Sequence, residues 1–124
     1  MADLIYPDEY YNIIGACFDA HKNFGSGFLG AVYSEALMLE FEERNIPYEM
    51  NKELSILYKG RQFSKKYYAD FICYDKIIIE QKATDALAPE HISQVLNYLK
   101  ATAMRLGILA NFGEHQFHFK RIVL

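Results

Sequence analysis

The stretch YADFICYDKIIIEQKA, residues 68–83, holds two β-rich runs separated by Asp75-Lys76, and it carries Asp70, Glu80 and Lys82 inside apolar strands. Strand side chains alternate between faces. Asp70 is therefore expected with Tyr68 and Ile72, and Glu80 with Ile78 and Lys82. A two-residue loop at Asp75-Lys76 would pair Asp70 with Gln81 and send the two acids to opposite faces. An odd loop, with Cys73 opposite Ile77, would set Asp70 directly across from Glu80, Cβ atoms roughly 4.5–5.5 Å apart. Two carboxylates that close in apolar surroundings repel and are poorly solvated, so one is held protonated unless a cation lies between them. A hard divalent ion resolves the conflict. Lys82, on the same face, is placed to hold a phosphate oxygen, to steady an attacking hydroxide, or only to pair with an acid. The competing reading is a cross-strand ion pair on a solvated face.

The chain of 124 residues is expected to form one domain over residues 1–124. A hydrophobic content of 52%, with ten Tyr and nine Phe, supports a folded core and excludes global disorder. The net charge of −3 provides no overall attraction for nucleic acid, so phosphate binding requires a local basic cluster. Cys17 and Cys73 lack metal-ligand spacing and read as buried thiols in a reducing compartment. The start MADLIYPDEYY has neither the basic end nor the long apolar run of a signal peptide. No window approaches the roughly 18 apolar residues of a membrane span. The expectation is a cytoplasmic protein without membrane contact.

Pro7-Asp8-Glu9 opens a helix whose apolar positions Ile13, Ile14, Cys17 and Phe18 recur up to Asn23. FGSGFLG breaks it. A second helix runs from near Leu29 to Arg44, with Asn45 as a left-handed cap and Pro47 blocking continuation. Residues 53–58 read as a strand, Lys59-Gly60 as a turn, and 67–74 and 77–82 as the pair above. A third helix is expected over about 90–104, then strands at 106–112 and 117–124. This order predicts an α/β (α+β) fold in which helices pack on a mixed sheet.

Outside the strand pair, Glu35 sits between Val32 and Leu39 at the margin of the second helix's apolar stripe, where a third acid would complete a metal site. In the third helix, Gln94 and Tyr98 form an i,i+4 pair away from the apolar stripe, with His91 nearby; taken alone they read as an exposed polar face. Lys59, Arg61, Lys65 and Lys66 are the one concentrated basic run, either a solvated hairpin edge or a local phosphate-contact patch. His115 and His118, three apart on a strand, would face opposite ways and make no metal pair. Gly25 and Gly27 read as a turn, since no P-loop Lys-Ser/Thr follows. Several tyrosines, Tyr58, Tyr67 and Tyr68 among them, are available to stack on bases or to pack at a core margin.

Asp70, nine residues, then Glu80-Gln81-Lys82 resembles the D…ExK core of the PD-(D/E)XK nuclease superfamily, and Gln94-Val95-Leu96-Asn97-Tyr98 resembles the QxxxY motif of its helicase-associated exonuclease branch. Glu35, ten residues before Asn45, is similar to the first-helix glutamate of junction-resolving members. From about residue 10 onward the chain resembles the small bacterial GxxExxY proteins, through GSGFLGAVYSEAL, RNIPYE, YYADF, IIIEQKA, HISQVLNYLKAT, LGILANF and KRIVL. The resemblance implies a restriction-endonuclease-like αβββαβ core with an extra N-terminal helix, which would cover the sheet or form a homodimer contact. It implies magnesium- or manganese-dependent hydrolysis of phosphodiester bonds in nucleic acid, DNA ahead of RNA. Asp70 and Glu80 would be metal ligands, joined by the Gln81 backbone carbonyl and by Glu35 directly or through water. Lys82 would orient or activate the attacking water. Gln94 and Tyr98 would line the nucleic-acid side.

Three departures stand out. The namesake glutamate of the GxxExxY pattern falls at Gly30, Ala69 replaces the superfamily's proline, and Gln81 occupies a position that is usually apolar and is expected to face away from the site. The alternative function is a catalytically weak or inactive nuclease fold that binds nucleic acid or protein. A structural homo-oligomer whose strand charges pair with one another is the third reading.

Overall fold

Residues 4–124 are described by a computed structural model. The first three residues of the stretch read for a leader lie outside them. Helix α1 (Pro7–Phe24) starts with Pro at its first position and Asp8 and Glu9 in its first turn, and stops where Gly25 takes a positive φ. Helix α2 (Gly30–Glu43) ends in a Schellman motif. Asn45, at φ 57°, donates to Glu42 O, and the Ile46 N–H donates to Phe41 O at 2.8 Å. Ile46 and Phe41 are both buried in one cluster, the apolar contact that accompanies such a cap.

The strands follow as β1 (Tyr48–Leu54), β2 (Leu57–Tyr58), β3 (Arg61–Gln62), β4 (Tyr67–Cys73) and β5 (Ile77–Lys82). After them come α3 (Pro89–Thr102), β6 (Leu106–Asn111) and β7 (His118–Val123). Five strands form a mixed sheet in the order β1-β4-β5-β6-β7, with β5 and β6 parallel and the other neighbours antiparallel. The helix α3 makes the crossover between the parallel strands, as a parallel pair requires. The expected αβββαβ order is present as α2, β1, β4, β5, α3 and β6, with α1 added in front and β7 behind. The expected continuous strand over 53–58 is broken: β1 ends at Leu54, and β2 pairs with β3 in a small separate hairpin. His115 lies in the loop before β7 rather than on the strand with His118.

Two cores sandwich the sheet. On one face α1 and α2 bury Ile13, Cys17, Tyr33, Leu37 and Phe41 against Phe71, Cys73, Ile77, Ile79 and Ile108. On the other, Val95, Tyr98 and Leu99 of α3 cover Ile72, Ile78, Leu109 and Ile122. Each such side chain removed from water contributes about 1.5–3 kcal/mol. The covering role expected of α1 is what the structure shows.

Face alternation shifts phase once, at the site. Tyr48 and Met50 pack on the α1–α2 side, yet Leu54 belongs to the α3 side. In β4, Tyr67 meets Tyr98 of α3 and Ala69 joins the α3-side cluster, whereas Phe71 and Cys73 lie on the other face. The shift falls at Asn51 and Asp70: Asn51 has φ 49°, and the β1–β4 ladder pairs Met50 with Phe71 and Lys52 with Ala69 but skips the residues between. Tyr68 therefore projects away from the α3 side, contrary to simple alternation from Asp70.

Candidate active site

The connection between β4 and β5 is an odd loop, Tyr74-Asp75-Lys76. Tyr74 and Asp75 are both left-handed (φ 56° and 58°), and the Lys76 N–H donates to Cys73 O at 3.1 Å. The strands pair Cys73 with Ile77, Ile72 with Ile78 and Phe71 with Ile79. Continued by one step, that register sets Asp70 opposite Glu80. The Gln81 N–H donates to Asp70 Oδ2 at 2.9 Å, which fixes one carboxylate oxygen. Glu80 is 3% exposed, and its buried Oε1 has no hydrogen-bond partner among the described residues. Burial, reinforced by hydrogen bonding to Asp70 and by its charge, pushes the Glu80 carboxyl up to about 9, with Lys82 acting weakly the other way. The pair is not a solvated ion pair: among the described residues neither Asp70 nor Glu80 has a basic group within salt-bridge distance.

On α3, Pro89 starts the helix and the His91 Nδ1 accepts the Ala88 N–H at 3.0 Å, an N-terminal cap. Two turns on, Tyr98 is buried rather than part of an exposed polar face. Gln94 Nε2 donates to the Tyr98 oxygen at 3.1 Å. Burial is the largest influence raising the phenol's pKa, followed by the charge of Glu80, with Asp70 adding to it. Tyr98 also packs in one cluster with Ile78 of β5, two residues before Glu80 on the same strand face, which places the Gln94–Tyr98 pair on the side of the two acids. Tyr67 completes that side, its ring centroid 6.0 Å from Tyr98. A cleft opens here: Ile56, Tyr67, Gln94 and Tyr98 line a space of about 230 Å³.

Other expected residues lie elsewhere. Glu35 is exposed in the groove between α1 and α2, with Ala20, Phe24, Val32 and Leu39. Among the described residues no group of three or more His, Cys, Asp and Glu is assembled to hold a metal, so the structure does not bring Glu35 to the acid pair. The Gln81 side chain turns toward α2 as expected, where Nε2 donates to Gly30 O at 3.0 Å and approaches Ser34 Oγ. The backbone of Gln81 does face the site. A strand residue's N–H and C=O point to the same neighbour, and its N–H points at Asp70. Lys59, Arg61 and Lys65 are exposed on or beside the β2–β3 hairpin, and Lys66 pairs with Glu53 at 3.2 Å.

Sequence reasoning missed the clamp beneath the site. Asn111 is fully buried at the end of β6, accepting N–H bonds from Thr84 and Gly113 and donating to Thr84 O and Glu114 Oε2. It ties the segment after Lys82 to the β6–β7 loop. The available signal was a lone polar residue closing an apolar strand just before Phe112-Gly113.

The carboxylates suit a divalent cation: a buried acidic oxygen without a partner, a second carboxylate across the strands, and a backbone carbonyl directed the same way. A model of the PD-(D/E)XK nuclease superfamily matches residues 7–122. Among solved structures, the chain is similar to the crystal structure of SSO0001, with a TM-score of 0.60 and 22% identity; the match covers 95% of this chain and 59% of that one. At that identity the likeness is one of fold, and this chain spans less than two thirds of the other's length. A comparison with curated proteins gives no match.

Proposed function

Because the chain belongs to the PD-(D/E)XK nuclease superfamily, we propose that it hydrolyses phosphodiester bonds of nucleic acid, DNA in the first place, in a reaction dependent on Mg²⁺ or Mn²⁺. The observation that carries this reading is the buried, partnerless Glu80 oxygen beside Asp70. Asp70, Glu80 and the Gln81 carbonyl would hold the cation. When bound, it would supply the positive charge that offsets the carboxylates and the scissile phosphate.

Each neighbouring residue then has a defined task. The Gln81 N–H keeps Asp70 in one rotamer. Lys82 shares the Glu80 face of β5 and would orient the attacking water or a phosphate oxygen. Gln94 and Tyr98 line the wall along which the strand would lie. The net charge of −3 is unevenly divided, which removes the objection it raises to nucleic-acid binding. Residues 4–44, essentially the α1–α2 layer, carry seven acidic and two basic side chains, while residues 45–124 carry eight acidic and eleven basic. The field at the sheet and α3 side therefore favours phosphate.

The small bacterial GxxExxY family remains our finer assignment, with residues 1–124 as one domain and a cytoplasmic setting. A Cβ added at Gly30 would lie 3.7 Å from Gln81 Nε2. The namesake glutamate would thus meet the Gln81 amide, so the two departures from that family's pattern occupy one place. The second reading is a weak or inactive nuclease fold that binds nucleic acid or protein; the absence of Glu35 from the acid pair favours it. Incubating the protein with single-stranded, duplex and branched DNA, with Mg²⁺, Mn²⁺ or EDTA, tests the first reading. Metal-dependent cleavage by the wild type and none by Glu80→Gln supports it; equal cleavage by both proteins points to a contaminant and removes it.

A further inference from the structure

The β2–β3 hairpin is the part of the molecule least explained by its core. Lys59 and Gly60, at φ 52° and 75°, form its two-residue turn, the left-handed geometry that suits a hairpin. Tyr58 pairs with Arg61 across that turn, so both project to one face of the ribbon. Leu57 and Tyr58 on the ribbon, and Phe63 just after it, are 65%, 61% and 47% exposed, a cluster of large apolar side chains left open to solvent. Tyr58 and Phe63 stand with ring centroids 6.2 Å apart. Lys59 lies over the Tyr58 ring and Lys65 over the Tyr67 ring, at 5.5 and 5.9 Å. No carboxylate pairs with Lys59, Arg61 or Lys65 among the described residues. Tyr58, Lys59, Arg61, Phe63 and Lys65 surround one open groove.

The ribbon is continuous with the acid pair. The Phe63 N–H closes its foot on Ile56 O at 2.9 Å. Ile56 in turn lines the cleft of Tyr67, Gln94 and Tyr98, and Tyr98 packs in one cluster with Ile78, two residues before Glu80 on the same strand face. Aromatic faces interleaved with unpaired cations match a strand whose bases are free to stack. In a duplex those faces are already covered, and only the phosphates would be engaged.

We infer that the β2–β3 hairpin binds single-stranded nucleic acid, with Tyr58 and Phe63 stacking on unpaired bases and Lys59, Arg61 and Lys65 contacting the backbone, and that it feeds the strand past Tyr67 to the acids. The inference rests on the nuclease reading for the fate of the strand and not for its binding. The test uses a fluorescein-labelled oligodeoxynucleotide of about 12 nucleotides, within the span such surfaces cover. The same sequence as RNA and as a DNA duplex provides the other arms, and EDTA prevents cleavage. Both single strands should bind more tightly than the duplex. Tyr58→Ala with Phe63→Ala should lower single-strand affinity on the order of tenfold or more, leaving duplex affinity and the salt dependence unchanged. Lys59→Gln with Arg61→Gln should weaken every arm and reduce the single-strand salt slope by about 0.7 per charge.

Equal or tighter duplex binding, no binding of any arm, or unchanged single-strand affinity in the aromatic variant overturns the inference. The side chains are exposed, so folding is not at issue, and a melting curve checks it. If the hairpin binds single strands but no metal supports cleavage, the nuclease reading falls alone. If cleavage requires Glu80 but ignores Tyr58 and Phe63, the hairpin inference falls alone.

Discussion

The Gln81 N–H donates to Asp70 Oδ2 at 2.9 Å, and the next residue back, Glu80, keeps a buried oxygen with no partner. One acid of the pair is held and the other is left wanting a ligand. That asymmetry sets the behaviour of the metal-free protein.

Glu80 titrates at about 9 in the fold against 4.5 without the fold's influence. Between those values the folded protein binds a proton that the unfolded chain does not. Stability of the metal-free protein is therefore highest below about pH 4.5, as far as this group is concerned, and falls as pH rises toward 9. Urea midpoints at several pH values in EDTA should show that decline, and Glu80→Gln should flatten it. At pH 8.5, Mn²⁺ or Mg²⁺ should raise the wild-type melting temperature and leave Asp70→Ala unmoved.

For catalysis, Asp70→Asn, Glu80→Gln and Lys82→Ala are each expected to lower cleavage by about 100-fold or more, the scale associated with losing a positioned acid–base or charge-stabilising group. Circular dichroism should show all three folded. Activity within a factor of a few of wild type for Lys82→Ala would remove that lysine from the chemistry.

Glu35→Gln separates the observed geometry from the expected third metal ligand. The residue is exposed between α1 and α2. Metal-induced stabilisation and cleavage should both stay close to wild type. A lost metal response would return Glu35 to the site.

The loop clamp depends on a close backbone approach. A Cβ at Gly113 would come within 2.3 Å of the Thr84 backbone, and the nearest atoms are main chain and have nowhere to move. Gly113→Ala should cost about 1–3 kcal/mol through overpacking. Asn111→Ala should cost at least as much, since it strands the Thr84 N–H. Denaturant unfolding measures both; a neutral Gly113→Ala would mean that the two loops separate readily.

Cys17 and Cys73 are both buried, and burial pushes the Cys17 thiol up to about 12 and that of Cys73 higher as well. Native protein should react with a disulfide reagent only through opening of the fold. Labelling at pH 8 should be slow and should accelerate with urea in step with unfolding. Rapid labelling without denaturant would contradict the packing of α1 on the sheet.

Helix limits, the Schellman end at Asn45, the mixed sheet and the residue types at the site were legible because they depend on local chemistry: proline and acids opening a helix, asparagine at a left-handed cap, strands with one characteristic spacing. Register was not legible. Phe71-Ile72-Cys73 and Ile77-Ile78-Ile79 are apolar at both parities, so a slip of one residue leaves either face equally greasy. Packing against α1–α2 on one side and α3 on the other, together with the left-handed turn at Tyr74-Asp75, selects the pairing that opposes Asp70 and Glu80.

By itself, then, the sequence determined which side chains were available and which elements carry them. Tertiary structure decided which of them meet. It moved Glu35 into a helix groove, buried Tyr98 where the helix pattern taken alone reads as a polar face, and shifted strand phase at Asn51 and Asp70. Those outcomes arise from contacts between segments far apart in the chain, where burial outweighs local preference.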